Sequence, residues 1–321
     1  MKTKIKVGIV GGAGYTGGEL VRLLLNHPQA EIDYVVSKSQ SGKAISELHH
    51  DLIGETDLDF VAAAQPGADV VFLCLPHGES KKYLEANPFL LNKRIIDLSR
   101  DFRVDSDQFE YGLPELNREK IAKAKYIANP GCFATAIQLS LLPLAQRKLL
   151  NGSIHINATT GSTGAGQSLS ETTHFTWRNN NLSVYKPFEH EHLPEIRQSM
   201  AALQKNFAAG IHFIPQRGAF TRGILATTMI TTTLSQKEAE DIYTSYFSTH
   251  PFVHLTKAAD LKQVSNTNKC FIQLIKHNDQ LGIVAVIDNL LKGASGQAVQ
   301  NMNLQFGFEE TSGLKLKANV F

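Results

Sequence analysis

The apolar positions change their period along the chain, and the changes outline its elements. KIKVGIV at 4–10 is a short β-branched run that predicts a strand. Beyond a glycine-rich stretch, Leu20, Val21, Leu24 and Leu25 recur at helical spacing. EIDYVVS at 31–37 predicts a second strand. DVVFLCLP at 69–76, RIIDLS at 94–99 and KYIAN at 125–129 are near-continuous apolar runs, the kind a parallel sheet buries on both faces. FATAIQLSLLPLAQRKLL, after Cys132, predicts a helix bent or broken at Pro143. Strands alternating with helices predict an α/β fold with a doubly wound parallel sheet of Rossmann type. The 321 residues exceed one ordinary core, so a second domain is expected.

Composition narrows the partners. Hydrophobic residues at 42% and charged residues at 19% suit a soluble globular chain. Lys and Arg total 32 against 30 Asp and Glu, with no basic stripe, which argues against nucleic acid. No apolar run approaches the roughly 20 residues of a membrane helix, and the basic start before Val7–Val10 is too brief for an export signal. Cys74, Cys132 and Cys270 lie far apart, so neither a disulfide framework nor a cysteine metal site is expected, and a reducing cytoplasm fits best.

The first glycine stretch carries the first chemistry. Gly12, Gly14 and Gly17 spell G-x-G-x-x-G, and Gly11, Gly14 and Gly17 form a second register, with Tyr15 and Thr16 between. A strand before and a helix after convert this weak pattern into a dinucleotide turn, where backbone N–H groups approach a pyrophosphate. An NAD site would carry an acid at the end of the second strand. Here the chain reads SKSQSGK, and Ser37, Lys38, Ser39 and Lys43 suit the 2′-phosphate of NADP(H).

Cys132 differs from the other thiols. It follows Asn129-Pro130-Gly131 after a strand and opens a helix, where the positive helix end favours a thiolate. Cys74 and Cys270 sit inside apolar runs and read as inert core. A thiol beside a nicotinamide implies attack on an activated acyl group followed by hydride exchange. The proton partner is sought in YKPFEHEHLPEIRQ, where Pro194 suits a first helical turn and His192 stands just before it. His190 would point the same way in an extended segment; a metal pair is the rival reading, without a third ligand at suitable spacing. Arg100 and Arg103 in DLSRDFR offer forks for phosphate, and TGSTGAGQ at 160–167 is a second glycine loop. His77 falls at a strand's carboxyl end, as a loop residue or a cofactor contact.

GGAGYTGGEL, CLPHGES, DLSRDFR, YGLPELNR, NPGCFAT, TGSTGAG, SETTHF, HEHLPEI, TRGILAT and DNLLKGASGQAVQNMNL, taken in this order, resemble the N-acetyl-gamma-glutamyl-phosphate reductase family, relatives of aspartate-semialdehyde dehydrogenase. The resemblance implies a Rossmann domain over 1–150, completed by 291–321, and an α+β catalytic and oligomerisation domain over 151–290. It implies Cys132 as nucleophile and His192 as acid/base. Tyr185, His190, Glu195 and Arg103 match substrate-site positions, Arg103 toward phosphate. Gly11, Gly14 and Gly17 match the cofactor loop, and Asn289 and Gly293 the nicotinamide side. The implied reaction converts an N-acyl-glutamyl 5-phosphate and NADPH to the 5-semialdehyde, NADP⁺ and phosphate through a cysteine thioester, the third step toward ornithine and arginine. A homo-oligomer, dimer or tetramer, is implied as well.

One loop departs from the family pattern. FIPQRGAFTRGI carries Gln216 where relatives usually have histidine, and Arg217, Gly218, Ala219 and Phe220 alter the loop beyond it. A gained guanidinium suits an acyl group with its own carboxylate, N-succinyl rather than N-acetyl; the alternative is loop drift with Arg217 in solvent. Two other classes remain: an aspartyl-phosphate enzyme, against which HEHLPEI argues, and a non-catalytic NADP(H) sensor, which has no need of Cys132 and His192. A thiol hydrolase would have no use for the dinucleotide turn.

Overall fold

A computed structural model describes residues 4–320. The chain divides into two compact units, one formed by the chain up to Pro130 together with Ala294–Lys315, the other by Gly131–Gly293 with the tail from Leu316.

Unit one holds a seven-stranded sheet. Its strands are β1 (Ile5–Val10), β2 (Ala30–Val36), β3 (Phe60–Val61), β4 (Val70–Leu73), β5 (Arg94–Asp97), β6 (Glu110–Tyr111) and β7 (Tyr126–Ala128). They lie in the order β3-β2-β1-β4-β5-β7-β6, all parallel. The chain builds outward from β1 in one direction through β3, then restarts at β4 on the other side. The switch point therefore falls between β1 and β4, where open α/β sheets bind ligands at the strands' carboxyl ends. The apolar runs are continuous because both faces are covered: all four residues of β4 are buried. Gly8 makes room for the Tyr34 ring, which a Cβ there would meet at 2.3 Å.

The returning helix Ser295–Gln305 belongs to unit one and is almost wholly buried. Its polar side chains serve backbone groups. Asn301 Nδ2 donates to the Gly112 carbonyl at 2.9 Å and to Asn129 Oδ1 at 3.0 Å, and Gln305 Nε2 donates to the Ala124 carbonyl at 3.0 Å. These bonds explain a polar helix in a core, since each replaces a hydrogen bond otherwise lost to burial.

Unit two has a mixed seven-stranded sheet of β8 (Ile154–Thr160), β9 (Ser183–Val184), β10 (Ile211–Arg217), β11 (Ile224–Thr231), β12 (Val253–Leu255), β13 (Cys270–His277) and β14 (Gln280–Ile287). The order is β12-β13-β14-β11-β8-β10-β9, with β8–β10 and β12–β13 parallel and the other pairs antiparallel. Burial alternates along β8 and β11, so one face packs on helices and the other is more open. The helix Cys132–Gln146 lies against β11 and β14 and is buried from Phe133 to Ala145.

Two expectations change here. The helix runs on through Pro143, three residues before its end, and is not broken there, although the proline forgoes the bond to the Leu139 carbonyl; the buried side chains around it hold the helical path. The first unit ends at Pro130 rather than at 150, because that helix buries its length in unit two. Among the described residues, no helix is long and apolar enough to cross a membrane.

The Asn301→Ala variant should lose about 1–3 kcal/mol of stability, the usual result of stripping partners from buried polar groups. A lower urea midpoint with unchanged helical signal before the transition is the expected readout.

Candidate active site

Unit one supplies a dinucleotide turn. Gly11 has φ of +85°, and a Cβ there would stand 2.4 Å from the Cys74 carbonyl. At Gly17 a Cβ would meet Gly11 O and Gly12 Cα at 2.6 Å, so the helix Tyr15–Leu25 approaches the turn as only glycine permits. That helix starts at Gly14 without a side-chain cap or an acid in its first turn. Its first N–H groups, at Tyr15 and Thr16 among others, suit an anion, and the glycine cradle fits a pyrophosphate. Ser295 Oγ donates to the Thr16 carbonyl at 2.8 Å, fixing the turn from the returning helix.

His49 is a residue sequence reading missed. Its Nε2 lies 2.8 Å from the Gly12 carbonyl, and its ring occupies the space a Cβ at Gly18 would need. Nothing in the surrounding SELHHDL marks one histidine of the pair as buried. After β2, Ser37 is buried and Lys38 exposed, with Ser39 and Lys43 exposed beyond it. No acid follows β2 until well past this loop, which fits a 2′-phosphate better than a 2′-hydroxyl.

Arg103 is buried, with Nη2 donating to the Leu98 carbonyl at 2.7 Å. It neighbours Asp97, whose carboxyl burial pushes up while bonds from Ser80 and Ser99 and the Arg103 charge pull it down. Arg100 and His77 are exposed, linked by the Arg100 N–H donating to His77 Nδ1. Cys74 is half-buried rather than enclosed in the core as its apolar run suggests; desolvation pushes its thiol up to about 12, which keeps it protonated.

Unit two gathers the thiol and the histidines. Cys132 is half-buried at the first position of its helix, behind Gly131 as cap. Gly131 N–H donates to Glu195 Oε2 at 3.0 Å. Glu195, read from the sequence as a substrate residue, is thus also a brace between the thiol helix and the helix Leu193–Leu203. His192 caps the latter helix, and Pro194 lies in its first turn as expected.

The His190 and His192 rings stand 4.6 Å apart although the segment turns rather than extends. His192 N–H donates to His190 Nδ1 at 3.2 Å, leaving the His190 proton on Nε2. Phe133, the residue after the thiol, sets its ring edge-on to both histidines, at 5.4 and 6.3 Å. An aromatic beside the cysteine was the visible signal for this packing.

Tyr185 extends the cluster, its ring 5.7 Å from His190 and 4.7 Å from the Arg217 guanidinium carbon. Burial raises the Tyr185 phenol, the nearby Cys132 adds to the rise, and Arg217 opposes it. Burial lowers His190; Glu191 resists, and Lys186 and Arg217 add to the fall. Burial would raise the Glu191 carboxyl, but Lys186 at 2.9 Å and neighbouring His190 help hold it down at about 2.

Asn289 is buried, its Oδ1 accepting from Gly223 N–H at 2.7 Å and its Nδ2 donating to Thr163 Oγ1 at 3.0 Å. It therefore shapes the 160–167 loop from below. Gly293 leaves no room for a side chain, since a Cβ would meet the Asn289 carbonyl at 2.6 Å.

Both units match semialdehyde dehydrogenase families. Residues 6–124 match "Semialdehyde dehydrogenase, NAD binding domain" and residues 132–289 match "Semialdehyde dehydrogenase, dimerisation domain". Aspartate semialdehyde dehydrogenase II from Vibrio cholerae, solved with ASA, shares the fold at a TM-score of 0.76 and 16% identity, over 95% of this chain and 99% of that one. The enzyme from Candida albicans, solved with NADP, aligns at 0.68 and 15% identity over 94% and 98%. The class is thus a semialdehyde dehydrogenase with an NAD(P)-binding domain.

The closer relatives are more particular. N-acetyl-gamma-glutamyl-phosphate reductase of Parabacteroides distasonis is 55% identical over 99% of this chain and 100% of its own length, and that of Flavobacterium johnsoniae 54% over the same shares. The chain belongs to the N-acetyl-gamma-glutamyl-phosphate reductase family.

Because burial lowers His190, the unfolded chain takes up this proton more readily than the folded one. Stability from this group is complete above the ordinary histidine value near 6.5 and declines as pH falls below it. The urea midpoint should drop between pH 7 and pH 5, and His190→Gln should flatten part of that slope.

Proposed function

We propose that the protein reduces an N-acyl-glutamyl 5-phosphate to the N-acyl-glutamate 5-semialdehyde with NADPH, releasing phosphate. The single observation that carries this reading is the unit-two cluster: a helix-start thiol braced to the His190–His192 pair through Glu195 and Phe133. Relatives named for this reaction at 55% and 54% identity support it.

Gly11, Gly14, Tyr15, Thr16 and Gly17 hold the cofactor pyrophosphate, and Ser37 and Lys38 receive the 2′-phosphate, with Asn289 and Gly293 toward the nicotinamide. When bound, the nicotinamide supplies the hydride. Cys132 attacks the acyl carbon, a C–S bond forms, and the C–O bond to phosphate breaks. Arg103 is assigned to the departing phosphate, its guanidinium fixed by the Leu98 carbonyl. His192 gives a proton to the carbonyl oxygen as the thioester is reduced. It takes the proton back as the C–S bond breaks and the aldehyde leaves, restoring the thiolate. Tyr185 and His190 border the substrate.

Oligomeric state and location follow the same reading. The dimerisation-domain match and the open sheet face, where Met229 and Ile275 are exposed, support a homo-oligomer, a dimer or tetramer. A reaction that needs its thiol reduced is suited to the cytoplasm.

Cys132→Ser should reduce turnover to background while NADPH affinity stays at the parent value. His192→Asn should slow turnover by about 10²–10⁴-fold, the usual range for losing an acid/base group. The reverse assay, with semialdehyde, NADP⁺ and phosphate, reads both at the reduced nicotinamide band; a near-parent rate in Cys132→Ser would sink the nucleophile assignment.

A further inference from the structure

Arg217 closes β10, where it pairs with Thr160 of β8 and Ser183 of β9. Its backbone is fixed: Arg178 Nη1 donates to the Arg217 carbonyl at 2.6 Å, and the next residue's N–H bonds the Thr160 carbonyl at 2.9 Å. The strand end is therefore held still, and the guanidinium is presented from it. The guanidinium carbon lies 4.7 Å over the Tyr185 ring, and the Tyr185 phenol also hydrogen-bonds the Arg217 side chain, so the fork is oriented by this tyrosine while its Nε–H is left over. The Tyr185 phenol interacts electrostatically with both Arg217 and Cys132, so the fork and the thiol address one neighbourhood within unit two.

Charge around the fork is out of balance. Among the described residues no carboxylate pairs with Arg217, and its buried Nε–H has no acceptor. Arg178, itself buried, spends its donors on the Thr172, Asn181 and Arg217 carbonyls and on Ser183 Oγ, so it brings a second cation without an anion. The two guanidinium charges oppose each other. Glu191, the acid of this cluster, is engaged by Lys186 at 2.9 Å. Gln216 is turned to Thr159, 2.9 Å away, and adds no charge.

Leaving a donor buried and unpaired costs stability. A methyl group set against the fork would leave that cost in place; a carboxylate would accept two parallel N–H bonds and neutralise the surplus charge. Resting on the function proposed above, we infer that Arg217 is a specificity residue that binds a carboxylate at the end of the substrate's N-acyl group. The preferred substrate is then a dicarboxylic N-acyl derivative, N-succinyl-glutamyl 5-phosphate, rather than the N-acetyl one. A site built around a charged partner discriminates strongly, because the analogue lacking it leaves the protein's own polar groups unmatched.

The test compares N-succinyl- and N-acetyl-glutamate 5-semialdehyde in the reverse assay, with parent, Arg217→Ala and Arg217→Lys proteins. The expected result is a kcat/KM preference for the succinyl substrate in the parent of at least ~10²-fold. Arg217→Ala should collapse that preference to within a few-fold, mainly through KM for the succinyl substrate, and Arg217→Lys should restore part of it. Turnover of the acetyl substrate equal to or better than the succinyl one in the parent overturns the inference and leaves the reaction class standing. So does a preference that survives in both variants. No turnover of either aldehyde by protein that binds NADPH overturns the reaction class itself, and the inference with it.

Discussion

The hydrogen bond from Gly131 N–H to the buried Glu195 carboxyl sets the chemistry of unit two. Gly131 is the cap of the thiol's helix, and Glu195 sits in the first turn of the helix that His192 caps. One bond thus fixes two helix starts against each other, and Cys132 and His192, the residues proposed as nucleophile and proton partner, stand at those starts. Helix starts are stiff places to mount side chains, since the following turns are locked by backbone bonds and here by burial as well. Phe133 fills the remaining space and holds both imidazoles edge-on. The position of the thiol relative to His192 is therefore set by two packed helix starts, and His190, in the turn before, is held by Phe133 and by the His192 N–H.

Burial shapes the same cluster electrically. His190 is pushed toward its neutral form, and the bond that it accepts at Nδ1 from the His192 backbone favours the same form. The Tyr185 phenol is pushed to remain protonated. Two neutral donors thus stand beside the proposed substrate site, while positive charge is concentrated at Arg178, Arg217 and Lys186, of which, among the described residues, Lys186 alone has a carboxylate partner. A site of this kind greets an anion with little reorganisation of its own groups.

Much of this was written in local sequence. The run-and-glycine pattern of 4–17 located the first strand, the turn and the helix, because each depends on neighbours in the chain. The helix start at Cys132 and the first-turn proline at Pro194 were legible for the same reason. What local pattern could not give was partnership across distance. Glu195 meets Gly131, His49 meets the Gly12 carbonyl, and Arg178 meets the Arg217 carbonyl only once the fold is made. Pro143 shows the converse: its local tendency to break a helix yields where the surrounding side chains are buried, and the helix is unbroken there. The boundary near Pro130 was hidden because a helix buried almost throughout gives no sign of which sheet covers it.

The late return of the chain to unit one bears on its synthesis. The helix Ser295–Gln305 is part of that unit's interior, yet it leaves the ribosome after all the strands of unit two. Domains tend to fold as they emerge, amino-terminal first. Here the amino-terminal unit must wait with an open flank, Asn129 and the Gly112 carbonyl unsatisfied, while the segment inserted within it is completed. The nascent chain thus passes through an interval in which its cofactor half is most exposed to misassembly, and ends that interval with one short helix.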